Sequence, residues 1–125
     1  MNEGSINGGG MKSTVTFDDF MKLELRVGLV TNAQLPSWSH KLIELTVDFG
    51  ADLGVRTILS GVQQWYTPAD FLNKKFPFIV NLAERKMGEG VSQGMMLMAD
   101  DQTSPETAPV LLAMPENVAV GSEIR

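Results

Sequence analysis

The 125-residue sequence predicts a small all-β barrel with one core, and three observations carry that prediction. Short apolar runs alternate with polar residues at a period of two. Turn-forming Gly, Pro, Asp and Asn separate the runs. Signals for helix starts occur only twice, and both are followed by very short apolar patterns.

Residues 1–12 hold four glycines with Ser and Asn and read as a flexible leader, leaving 13–125 as the folded domain. Thr16-Phe17-Asp18-Asp19-Phe20-Met21 is a helix start. A threonine cap precedes two acids in the first turn, with Phe17, Phe20 and Met21 on one face that should plug an apolar surface. Leu25, Val27 and Leu29 then alternate with Arg26, Gly28 and Val30 as a first strand. Leu42 to Phe49 is a second, with Glu44, Thr46 and Asp48 outward. Val55 to Leu59 and Phe76 to Leu82 follow, and between them Thr67-Pro68-Ala69-Asp70 starts one or two turns of helix with proline at its first position. Met95 to Ala99 and Val110 to Met114 complete the strands. Five or six strands with a short helix at the N-terminus and another between strands 3 and 4 is the arrangement of a five-stranded OB-fold barrel.

Composition narrows function. The chain has no cysteine, which excludes disulfides, thiolate nucleophiles and sulfur-ligated metals. No apolar run approaches the roughly 20 residues of a membrane span, so no membrane partner and a cytoplasmic location are expected. The net charge is −5, yet the acids sit at the ends: the balance is −2 over residues 1–25, −4 over 99–125, and +1 over 26–98. A local basic face on the body is therefore compatible with an anionic partner, because phosphate binding follows local potential.

Gly90-Val91-Ser92-Gln93-Gly94 has the spacing of a hydrolase nucleophile elbow. That device needs a helix after the serine and a histidine later in the chain, whereas a strand pattern follows and the single histidine, His40, lies upstream. A tight glycine-flanked turn is the reading, with no catalytic residue. One histidine without cysteine leaves no metal site, Asp100-Asp101 lacks calcium-loop spacing, and no phosphate-cradling glycine loop occurs, so no cofactor is expected. His40 reads as a solvated loop residue. Of Met87, Met95, Met96 and Met98, alternation puts about half in the core, leaving others free to lie beside a ligand. Trp38, Trp65 and Tyr66 could stack on bases or pack inside. Lys41 and Arg56 near strand starts, Asn81 at a strand end, and Arg85-Lys86 ahead of Ser92-Gln93-Gly94-Met95 form a constellation. Closing a barrel could gather cations for phosphates beside polar groups for ribose and base edges.

The order of segments resembles a known family. Phe17-Asp18-Asp19-Phe20 with Leu25-Arg26-Val27-Gly28, Lys41-Leu42 through Val47-Asp48-Phe49-Gly50, and Arg56-Thr57-Ile58-Leu59-Ser60-Gly61-Val62 come first. Tyr66-Thr67-Pro68, Val80-Asn81-Leu82, Arg85-Lys86-Met87-Gly88 and Ser92-Gln93-Gly94-Met95-Met96-Leu97 follow. This is similar to the tRNA-binding domain found at the C-terminus of methionyl-tRNA synthetases or as their separate β subunit. The resemblance implies an OB-fold that holds the outer corner of tRNA without catalysis. It further implies contacts from Ser92 and Met95, support from Lys41, Arg56, Asn81, Arg85 and Lys86, and a synthetase catalytic chain as a partner; Gln93 joins the expected RNA contacts through its place in the constellation above. It also implies a homodimer formed through the N-terminal helix and a C-terminal dimerisation segment ending in Val120-Gly121-Ser122-Glu123-Ile124-Arg125. A related branch resembles an export chaperone that binds peptides, which is the alternative reading. Trp38 stands where the family usually has polar residues, and Glu89 puts an acid into the Arg85 to Met98 segment.

Overall fold

A computed structural model describes residues 10–125. Most of the expected leader lies outside the described residues; Gly10, Met11 and Lys12 are exposed. The fold is built on antiparallel strands: β1 (Leu25–Gln34), β2 (Ile43–Asp48), β3 (Val55–Ser60), β4 (Lys75–Ile79), β5 (Arg85–Met87), β6 (Gly90–Ser92), β7 (Met95–Met96), β8 (Met98–Ala99), β9 (Val110–Leu111) and β10 (Glu123–Ile124). Five of them run in the order β3-β2-β1-β4-β7 and curl until β3 approaches β7, giving the OB-type barrel.

Strand β2 shows why the chain curls around a core. Ile43, Leu45 and Val47 are fully buried while Glu44, Thr46 and Asp48 face out, the alternation expected from its sequence. Strand β1 extends beyond the expected limit to Gln34 and carries a register irregularity between Val30 and Asn32; before it, Val27 and Val30 are buried while Leu25 and Leu29 are only half so. Phe49, Phe71, Phe76 and Phe78 fill the interior, with the Phe49 and Phe78 rings edge-to-face at 5.2 Å. Trp65 and Tyr66 also pack against this core, and the Tyr66 hydroxyl donates to the Pro109 carbonyl at 2.6 Å. Both rings remain partly buried.

Both helix starts are present but short. Helix α1 covers Phe17–Phe20. The N–H of Asp19 donates to Thr16 Oγ1 at 3.1 Å, and the Thr16 N–H donates back to the Asp19 carboxylate at 3.3 Å. The sequence suggested that this face plugs an apolar surface; within the chain it does not. Phe17 is 73% exposed and Met21 48%, and only Phe20 is partly covered. Between β3 and β4 the helix is a single 3₁₀ turn, Pro68–Asp70, tied by the Asp70 carboxylate accepting from the Thr67 N–H at 2.8 Å. The C-terminal segment pairs within its own chain: β10 joins β1 at Leu25 and Arg26, and Arg26 reaches the Gly121 carbonyl at 3.0 Å.

Candidate nucleic-acid interface

The segment from Arg85 folds back at once. Strands β5 and β6 form a hairpin whose pairing of Met87 with Gly90 leaves Gly88-Glu89 as a two-residue turn. Gly88 takes φ +63° at the first central position, the sign expected of a type II′ turn. The hairpin lies against Trp38. A Cβ on Gly88 would stand 2.5 Å from the indole Cζ3, and one on Gly90 would stand 3.0 Å from Cη2, so the two glycines admit the ring. The loop bearing Trp38 is itself fixed by Ser39, whose Oγ accepts the N–H groups of Lys41 and Leu42, both at 3.1 Å.

Docking the hairpin on Trp38 gathers three of the expected cations. Lys41, Arg85 and Lys86 line one cleft of about 290 Å³ together with Trp38. All three are exposed, and none joins an ion pair; among the described residues those are Lys22–Asp19, Arg26–Glu24 and Arg26–Asp52. Their charge is thus available to an anion. Arg85 also borders a second cavity of about 410 Å³, lined by Met87, Met95, Met96, Met98 and Leu82. Met95 is 48% exposed there, while Met96 belongs to the core at 5%. The methionine cluster divides as alternation predicts.

The other four expected contact residues hold the barrel together. Ser92 is 3% exposed; its hydroxyl accepts the Leu59 N–H at 3.0 Å and donates to the Gly94 carbonyl at 2.8 Å. The Gln93 side-chain oxygen accepts the Thr57 N–H at 2.9 Å, and its own N–H donates to the Thr57 carbonyl at 2.8 Å. Two side chains therefore complete backbone pairing where β3 meets the end of β6. Arg56 donates to the Val80 carbonyl at 2.6 Å beside this seam. Asn81 receives the Glu24 N–H at 2.8 Å and donates to the Lys22 carbonyl at 2.6 Å, pinning the approach to β1. Gly94 cannot be replaced cheaply: φ is +136° and a Cβ would meet the Ile79 carbonyl at 2.7 Å. These internal bonds join segments far apart in the chain and so leave no local pattern in the sequence. It also missed Trp38 as the hairpin's support, whose signal was the pair of glycines flanking Glu89.

Groups with shifted ionisation lie away from the cleft. The Arg26 guanidinium binds its proton more tightly than usual because Glu24 accepts from it at 2.7 Å, and the Asp101 carboxyl is lowered by the Thr103 hydroxyl at 2.6 Å. No three metal-ligating side chains cluster among the described residues, and no described helix is long and apolar enough to cross a membrane. His40 is exposed in its loop, and the buried Ser92 has no base beside it.

The small β-barrel thus carries one open cleft whose three cations are free of ion pairs among the described residues. The chain belongs to the tRNA-binding domain family, described as "Putative tRNA binding domain", which matches residues 25–123. In methionine–tRNA ligases the domain is a non-catalytic accessory part of a longer chain. A methionine–tRNA ligase of Bacteroides fragilis is 39% identical over 116 residues, 92% of this chain and 16% of the ligase. The chain accordingly spans only about 15% of the length of such ligases. The crystal structure of a MetRS-related protein from Pyrococcus horikoshii superposes with a TM-score of 0.82 at 35% identity, covering 90% of this chain and 99% of that one. That of the chaperone CsaA from Bacillus anthracis gives 0.76 at 27% identity, covering 90% and 100%.

Proposed function

We propose that the chain binds tRNA without catalysis, as a stand-alone protein or as the β subunit or C-terminal domain of a methionyl-tRNA synthetase in the cytoplasm. It would hold the outer corner of the folded RNA by shape and phosphate contacts. The single observation that carries this reading is the convergence of Lys41, Arg85 and Lys86, all without acidic partners, in one cleft of an otherwise acidic protein. Family membership supports the same ligand. Cations around an open cleft suit a surface that follows a phosphate backbone and do not read base edges. The test is equilibrium binding of tRNA and of a single-stranded homopolymer across a salt series. Tighter binding of tRNA, with log K falling linearly in log salt, is expected. Equal affinity for both RNAs, or none at low salt, defeats the proposal.

Two copies would pair through the apolar face around α1. Val15, Phe17, Met21 and Leu23 are 65%, 73%, 48% and 46% exposed within nine residues of chain, a density of uncovered apolar side chains that suits a partner surface.

A second reading is peptide holding, favoured by one observation. The methionine-lined cavity beside Arg85 is apolar and adaptable, and a CsaA chaperone shares the fold. In a lysate pull-down, co-purifying tRNA supports the first reading and unfolded polypeptides support the second.

A further inference from the structure

We propose that Trp38 is itself part of the ligand site: with Lys41, Arg85 and Lys86 it forms a subsite for one unstacked nucleotide, the base lying on the indole and the phosphate on the cations. This rests on the reading that the cleft face binds RNA, and it names how one nucleotide is held there. Three observations carry it. First, the indole is oriented, because its six-membered ring fits against the backbone at Gly88 and Gly90 and so is held without needing a ligand to order it. Second, the side chain is not consumed by that packing: it remains only partly buried and lines the open cleft. Third, the same cleft carries three cations free of ion pairs, a charge that suits a phosphate and disfavours an apolar peptide as the occupant. An aromatic face beside cations is the chemistry that holds single bases with little regard to their identity.

The stacking role makes a prediction that a merely supporting role does not. Trp38→Leu keeps apolar bulk against the two glycines, so the cations stay in place while the π face is lost. This variant should bind tRNA about tenfold more weakly, within the range for one stacked base, with an unchanged dependence of log K on log salt. Trp38→Phe should recover part of that loss. Bound tRNA should also quench the emission that distinguishes wild type from Trp38→Leu, which isolates Trp38 from Trp65. Wild-type affinity in Trp38→Leu, or no quenching while wild type binds tRNA, overturns the subsite and leaves RNA binding standing. A loss accompanied by a shallower salt slope also overturns it, making Trp38 a support for Arg85 and Lys86 alone. Quenching by a reduced, unfolded polypeptide and not by tRNA reassigns the cleft to peptide. Failure of wild type to bind tRNA under low salt fells the underlying reading as well.

Discussion

The hydroxyl of Ser92 accepts the backbone N–H of Leu59 across 33 residues of chain, at 3.0 Å and out of reach of solvent. A side chain thereby takes the place of a strand carbonyl at the seam of the barrel. Ser92→Ala leaves a buried N–H unsatisfied, which costs about 1–3 kcal/mol. Chemical denaturation should show that loss with an unchanged m-value. The folded fraction should keep wild-type affinity for tRNA; a specific loss of affinity at full stability would make Ser92 a ligand contact instead.

Arg85 and Lys86 leave the barrel on the hairpin with no acid paired to either. Replacing both with alanine should weaken tRNA binding and flatten the salt slope by roughly one unit for each phosphate contact removed. Because both side chains are exposed, the melting temperature should hardly move. A slope identical to wild type clears them of the role.

Helix α1 depends on one carboxylate. Asp19 is held below the ordinary aspartate range by the Thr16 N–H, then by Lys22 and the Thr16 hydroxyl. A lowered folded pKa means the charged form is favoured in the folded state. Its contribution is present above the pKa of a free aspartate and is lost in acid, as pH falls through the lowered folded value. Amide exchange at Phe20 and Met21, whose N–H groups close this turn, should accelerate beyond the intrinsic pH trend only in that acid window. Asp19→Asn should show no such acid-specific change.

The apolar face around α1 predicts an effect on assembly rather than on folding. Phe17→Ser with Met21→Ser should shift the mass measured by light scattering from two copies to one while leaving the thermal transition of the barrel in place. A single-copy mass for the unaltered chain would dispose of the dimer.

What the sequence disclosed, and what it hid, follow from the range of the interactions. Ile43, Leu45 and Val47 are legible because alternation is local, and Thr16 and Thr67 are legible because a cap and its helix are neighbours. The Arg85-Lys86 pair could be read as a basic spot inside an acidic chain. The structural bonds of Arg56, Asn81, Ser92 and Gln93 were not legible, because apart from the short Ser92–Gly94 link they reach carbonyls and N–H groups 24 to 59 positions away. Trp38 was ambiguous for the same reason, since the glycines that receive it lie some 50 residues downstream.

Strand β1 ends its partnership with β2 at Leu29, while its pairing with β4 covers Leu25 to Leu29. The stretch that β2 does not reach has its other side closed by the tail, through β10 and through the Val27 N–H, which donates to the Ser122 carbonyl at 2.9 Å. Those last residues act as a guard on an open sheet edge, and such an edge is a template for another chain. Deleting residues 119–125 should leave a barrel that still folds but self-associates through β1. Its aggregation should rise with protein concentration and be relieved by a short peptide of the missing sequence added in trans.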